Sequence, residues 1–108
     1  MVTAETAVVL PVLLLVLAGA VAAVTVVGAQ MRCVDAAREG ARAAARGEPM
    51  SVVEAVVARA APDGAATTVT VGAEEVRVTV SARIALLEIA VSAEAVALRE
   101  PGAPVEAR

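Results

Sequence analysis

The first side chain that could do chemistry in this sequence is a carboxylate at the edge of an apolar run. Glu5 immediately precedes residues 6–29, which contain no charged side chain. An ionised carboxylate beside hydrocarbon is costly unless it finds a cationic partner or reaches water. Glu5 therefore either pairs with a cation on a neighbouring chain or lies among lipid headgroups, where its charge also favours the helix dipole.

The other residues that could support catalysis or metal binding lack the partners they would need. The candidate nucleophiles are Cys33, Ser51, Ser81 and Ser92. The sequence contains no histidine, so no imidazole can activate these groups or bind a metal ion. Glu74 and Glu75 are adjacent, and on a strand they would point to opposite faces. We therefore predict no enzymatic activity, no metal, no cofactor and no small-molecule substrate.

Composition and charge restrict the protein further. The sequence has 108 residues, a hydrophobic fraction of 59% and a net charge of −3. A negatively charged chain gives no support for nucleic-acid binding. Phe, Tyr and Trp are absent, so any core must be built from aliphatic side chains. The length allows one domain at most.

Residues 6–29 have the length and composition of a membrane-spanning helix. Leu, Val and Ala fill most positions, and about 20 apolar residues cross the ~30 Å hydrocarbon core of a bilayer. Pro11 lies inside this run, where membrane helices tolerate proline because other groups satisfy the freed carbonyl. We therefore predict a transmembrane segment at about 6–29.

The helical pattern continues beyond this segment. Charged residues enter after Gln30, together with a narrow stripe of small residues at helical spacing: Cys33, Ala37, Gly40 and Ala44. We expect one helix from Thr3 to Arg46, roughly 65 Å long, whose second part is amphipathic. Gly47, with Pro49 close behind it, is a typical stop signal.

Cys33 is the single cysteine and follows the apolar run by about one turn. Facing an oxidising exterior, it could form a disulfide between two subunits. A lone cysteine in a stripe of small residues is more often a small buried side chain.

A second helix and a small sheet are predicted after this point. Ser51 followed by Glu54 has the pattern of a capping box that begins a helix. The apolar face of that helix would be Val52, Val53, Val56, Val57 and Ala60. The sequence Pro62-Asp63-Gly64 is typical of a turn and ends the helix.

The apolar period then changes from 3.6 to 2, over residues 67–71 and again over 76–84. This alternation predicts two antiparallel strands with one dry face, joined by a turn at 72–74. Residues 89–99 fit a third strand or a short helix, and we favour the strand because two strands alone make a poor sheet. The predicted fold class is α+β, with a helical part at 1–47 and a small head at 48–108. Residues 101–108 are expected to form a flexible tail.

The N-terminal sequence resembles that of the TadE-like family, the minor pilins and pseudopilins of the Flp/Tad type IV pilus system. The stretch Ala4-Glu5-Thr6-Ala7-Val8-Val9-Leu10-Pro11 has an acid, apolar residues and a proline six positions after the acid. A leucine-rich run at 12–15 follows, as in the family. Segment 32–38 and the Ala/Arg-rich helix after it are similar to actinobacterial members. The resemblance implies a pilin-like fold and a structural role in assembling a Flp/Tad-type pilus or a related secretion apparatus.

The resemblance also implies roles for individual residues. Met1 would be the first residue of a processed chain, and Glu5 would pair with the N-terminal amine of a neighbouring subunit. Pro11 would belong to the same assembly segment. The partners would be other pilin subunits, the prepilin peptidase, the inner-membrane platform and the lipid bilayer. The protein would cross the cell membrane once, with its C-terminal part outside the cytoplasm, and could enter an extracellular pilus that serves adhesion, DNA uptake or secretion.

Two features depart from the family pattern. No leader peptide precedes Met1 in the sequence, so processing cannot be inferred from it. Thr6 stands where the short major pilins carry a tyrosine, and this favours a minor pilin. The alternative function is a single-pass, membrane-anchored extracellular binding module that never enters a fibre. The positive charge after the helix would by itself favour a cytoplasmic C-terminus, whereas the resemblance favours the opposite orientation.

Overall fold

The computed structural model describes residues 2–100 and contains two helices followed by three strands. The elements are α1 (Val2–Ala45), α2 (Met50–Ala60), β1 (Ala66–Val71), β2 (Glu75–Ile84) and β3 (Ile89–Leu98). This order confirms the predicted α+β class, with a long first helix, a short second helix and a small sheet. Met1 and the predicted tail at 101–108 lie outside the described residues.

Helix α1 runs without interruption through Pro11 and ends close to the predicted residue. Gly47 has a φ of 81°, a left-handed conformation that glycine adopts without a steric penalty. The N–H of Gly47 donates to the Ala44 carbonyl at 3.0 Å, and that of Glu48 donates to the Ala43 carbonyl at 3.3 Å. These two bonds form a Schellman motif, which satisfies the last carbonyls of the helix.

Helix α2 begins at Met50, so the predicted capping box at Ser51 and Glu54 is wrong. Pro49 occupies the N-cap position and no side chain caps the helix. The fixed φ of proline is already compatible with a helix start, and the Pro49 carbonyl accepts from the N–H groups of Val52 and Val53 at 2.9 and 3.1 Å. Ser51 is consequently an exposed residue of the first turn.

The sheet is antiparallel, with strand order β1-β2-β3. Residues Ile89–Leu98 form β3, which confirms the predicted strand, rather than a helix, over most of 89–99. In the central strand β2, Val76, Val78 and Val80 are fully buried, while Arg77 between them is exposed. The predicted dry and wet faces of this strand are therefore confirmed.

The core lies between the second half of α1, helix α2 and one face of the sheet. The predicted stripe of small residues on α1 is buried at every position. Gly40 is the tightest point, since a Cβ atom there would lie 2.5 Å from Cγ2 of Val57 and 3.3 Å from Cγ1 of Val78. Small side chains on α1 thus let its backbone approach both α2 and β2, which compensates for the missing aromatic side chains.

Three hydrogen bonds attach the sheet and α2 to α1 outside the core. Nε2 of Gln30 donates to the Ser92 carbonyl at 2.9 Å, and a guanidinium N–H of Arg32 donates to the Ala61 carbonyl at 3.1 Å. The N–H of Glu100 donates to the carbonyl at the end of α1 at 3.0 Å. β3 therefore runs alongside the second half of α1, in a molecule that measures 76 × 20 × 16 Å.

Candidate assembly surface on the long helix

The first half of α1 is exposed along its length and extends beyond the head. Every residue from Val2 to Val21 is exposed, and none of the most apolar stretch of the helix is buried inside the molecule. The large exposed side chains up to residue 24 are Val2, Val8, Val9, Leu10, Val12, Leu13, Leu14, Leu15, Val16, Leu17, Val21 and Val24. On a protein in water, an apolar surface this large marks a site of contact with a membrane or with another protein. α1 is long enough and apolar enough to span a membrane.

The polar side chains within this apolar stretch are satisfied by the helix itself. The hydroxyl of Thr6 donates to the Val2 carbonyl at 2.9 Å, and that of Thr25 donates to the Val21 carbonyl at 2.8 Å. Both bonds follow the backbone pattern by which Ser and Thr hide their hydroxyls in helices. Neither residue therefore opposes burial of the stretch in lipid.

Pro11 removes one backbone hydrogen-bond donor from α1. Proline has no N–H, so the carbonyl of Ala7 loses the donor that a regular helix would provide. Pro11 is exposed on α1, and hydrocarbon offers no replacement donor. This turn of the helix is consequently a place where a neighbouring polar group would be favourable.

Glu5 lies in the first turn of α1, at the end of the rod that is opposite the head. Its side chain is exposed, and none of the ion pairs among residues 2–100 includes it. Six helical residues separate Glu5 from Pro11, which places them about 9 Å apart along the axis and about 120° apart around it. The structure therefore does not bring the two predicted residues together, and they face different directions.

The comparisons with known proteins agree with the N-terminal pattern. A family model described as TadE-like protein matches residues 1–42. A protein of Mycobacterium tuberculosis (strain ATCC 25618 / H37Rv), described as "Apoptosis inhibitor Rv3655c", is 44% identical to this chain over 100 residues, which cover 91% of this chain and 78% of that protein. The chain belongs to the TadE-like family. No solved structure matches it.

The TadE-like match includes Glu5, Pro11 and Cys33 and ends inside the part of α1 that packs against the head. Cys33 is fully buried, as predicted for a small core side chain. Burial raises the pKa of its thiol, and the neighbouring Arg32 guanidinium opposes that rise in part. A disulfide between subunits would require the head to open first, because no part of Cys33 reaches the surface.

Two features of this TadE-like chain were not found by the sequence patterns. Gln30 and Arg32 hold the head through main-chain carbonyls, contacts that no spacing rule predicts. The turn between β2 and β3 lies against the apolar half of α1, where Leu86 and Leu87 face Leu17 and Val21 across an open groove. The available signal was a pair of leucines in a turn, a position where polar residues and glycine are usual.

Proposed function

We propose that this TadE-like chain is a minor pilin or pseudopilin that takes part in assembling a Flp/Tad-type pilus or a related secretion apparatus. Its work would be structural and would not include catalysis. The observation that carries this proposal is the free, apolar first half of α1, residues 2–21, with Glu5 at its outer end. Membership of the TadE-like family supports a role in this apparatus.

The physical argument begins with the surface that the head leaves uncovered. A single apolar helix is stable in a bilayer and equally stable among other apolar helices, because lipid chains and leucine side chains are alike in polarity. Transfer of α1 from the membrane into a bundle of sister helices therefore costs little apolar free energy. The bundle can then be selected by polar contacts and close packing.

Glu5 would supply the principal polar contact. A carboxylate removed from water needs a cation nearby, and none of the described residues provides one. The α-amino group of a neighbouring subunit, as the family implies, fits this need and would set the axial register between subunits. Because Pro11 faces about 120° away from Glu5, the two would contact different neighbours.

The proposed location follows from the same segment. The chain would cross the cell membrane once through the first half of α1, with the head outside the cytoplasm. Its partners would be other pilin subunits, the prepilin peptidase and the inner-membrane platform, and not nucleic acid. Met1 would supply the amine of the pair in the processed chain.

Replacing Glu5 tests the assembly role. Glu5→Gln keeps the size and shape of the side chain and one acceptor oxygen, and removes its charge. We expect this variant to enter the membrane fraction at the wild-type level and to be lost from sheared fibres. Glu39→Gln is the matched control, because Glu39 is an exposed glutamate on the head-side half of the same helix and its charge plays no part in the proposed pair.

The outcomes separate the two functions considered for this chain. Wild-type amounts of Glu5→Gln in fibres would remove the proposed ion pair. Recovery of the wild-type chain from membranes but never from fibres would instead support the membrane-anchored binding module.

A further inference from the structure

The turn between β2 and β3 is apolar at its tip. Ile84, Ala85, Leu86 and Leu87 form this segment, which we name the hairpin tip. Leu86 is 93% exposed, although Leu is unusual in a turn that faces water. At the other end of the head, the β1–β2 turn has the sequence Gly72-Ala73-Glu74 and is polar in the ordinary way.

The hairpin tip lies beside the membrane-length part of α1. The two form an open groove of about 450 Å³ whose helical wall consists of Leu14, Leu17, Ala18, Val21, Ala22 and Thr25. These positions recur at three- and four-residue spacing, so they make one continuous face of the helix. Leu87 is half-buried and Ala22 is the first half-buried residue of α1, which is consistent with contact at this level.

A hydrogen bond gives independent evidence for the position of the hairpin tip along α1. Gln30 of α1 bonds to the carbonyl of Ser92 in β3. Ile89 precedes Ser92 by three strand residues, or about 10 Å, and this distance corresponds to about seven residues of helix. The start of β3 is therefore level with about residue 23, and the hairpin tip reaches further toward the N-terminus.

This level lies within the hydrocarbon when α1 takes the position in the bilayer that leaves the charges of the head outside. On α1, charged side chains are absent between Glu5 and Arg32. The hydrocarbon core requires about 20 helical residues, so the embedded window runs from about 6–25 at one limit to about 12–31 at the other. Both windows contain all of Leu14–Thr25, the helical wall of the groove.

The charges that flank the hairpin tip fit a boundary at its base. Arg83 and Glu88 stand on either side of it, with 3.9 Å between a guanidinium nitrogen and a carboxylate oxygen. Both side chains are largely exposed. Arg83 pairs with Ala90 in the sheet and is therefore level with about residue 25 of α1. The window at about 6–25 puts Arg83 at the rim of the bilayer, where an arginine can extend its guanidinium to the headgroups. The window at about 12–31 would bury this pair of charges and is therefore excluded.

From these positions we infer that the hairpin tip inserts into the leaflet nearest the head, where lipid acyl chains fill its groove with α1. The inference rests on the membrane span of α1 proposed above and does not depend on entry into a fibre. The head is then attached to the membrane at two points, the helix and the hairpin tip. This second attachment restricts rotation of the whole molecule about the axis of α1 within the bilayer.

The absence of aromatic residues provides a direct test. Because the sequence has no Trp, Leu86→Trp introduces a single fluorophore into the full-length chain, which is then reconstituted in phosphatidylcholine vesicles. Leu15→Trp marks the hydrocarbon, since Leu15 lies inside both limiting windows. Ala73→Trp marks water, since Ala73 is exposed at the opposite end of the head. Ala85→Trp is a second probe of the hairpin tip.

We expect lipids brominated on their acyl chains to quench both Leu86→Trp and Leu15→Trp, and to leave Ala73→Trp unquenched. Quenching of Leu15→Trp alone would overturn the insertion of the tip while the membrane span remains. Loss of quenching at Leu15→Trp as well would overturn both. Blue-shifted emission from Leu86→Trp without quenching would mean that a second copy of the chain fills the groove, and this too would overturn the inference.

Discussion

Cys33 belongs to a chain with few groups that titrate above neutral pH. The sequence has no Tyr, and its basic side chains are all arginine, which stays protonated in proteins. Cys33 is fully buried, and burial raises the pKa of its thiol. Among the described residues, this thiol is the side chain whose ionisation is expected to affect stability in mildly alkaline solution.

The direction of that effect follows from the raised pKa. The folded state keeps the thiol proton to a higher pH than the unfolded state, so the stabilisation is complete below the unfolded value of 9.0. Above that pH the free energy of unfolding should fall, by at most about 1.4 kcal/mol per pH unit, until the folded pKa is passed. Urea unfolding in detergent micelles between about pH 7 and pH 11 measures this. Cys33→Ala should remove the dependence, and parallel profiles for the two proteins would contradict the prediction.

At the scale of the elements, the contact between α1 and the rest of the head depends on how closely their backbones approach. Gly40 is the limiting position, because its absent Cβ leaves room for Val57 of α2 and Val78 of β2. These two valines are themselves fully buried. A methyl group at Gly40 would therefore have to displace side chains that have no free space around them.

Gly40→Ala should reduce the free energy of unfolding of the head by about 1–3 kcal/mol, the usual cost of an overpacked core. Gly19→Ala is the matched control on the same helix, where an added Cβ would meet nothing within 4 Å. There the change should leave unfolding of the head unaltered. Denaturant titration followed by circular dichroism measures both variants. Equal stability of the two would show that the helix can move away from α2 and β2 without cost.

The elements themselves could be predicted because each has a local cause. The apolar run with small residues after it predicted α1, and strict alternation at 76–84 predicted β2. The start of α2 was missed because Pro49 and a possible cap at Ser51 compete locally, and the proline determined the first turn. The level of the hairpin tip along α1 could not be predicted, since it depends on strand length and on the packing of several elements together.

Some features of the predicted assembly surface could also be inferred from the sequence, and others could not. Glu5 and Pro11 are noticed from residue type and position, whereas their roles in assembly come from the family resemblance and stay a prediction. Their different directions around α1 follow once the helix is known to pass through Pro11 without interruption. The groove that Leu86 and Leu87 form with α1 could not be predicted from the sequence. Only the tertiary structure places this distant turn beside Leu14–Thr25.

For the molecule as a whole, the second half of α1 belongs to the head as much as to the rod. Val26 is the first residue of α1 that packs against the core, and the buried stripe begins at Cys33. A head of this size has a small core in any case. Its folding should therefore depend on the α1 residues that supply one side of that core.

Two truncated chains test where the folding unit begins. Residues 26–108 keep every α1 residue that packs against the core, so we expect cooperative unfolding and far-UV circular dichroism typical of the α+β head. Residues 48–108 lose Cys33, Ala37 and Ala41 from the core and expose the buried faces of α2 and β2. We expect this shorter chain to show no cooperative transition, because a sheet with one uncovered apolar face and a single short helix buries too little surface. Cooperative unfolding of 48–108 would place the boundary at Gly47 instead, and α1 would then be a detachable rod.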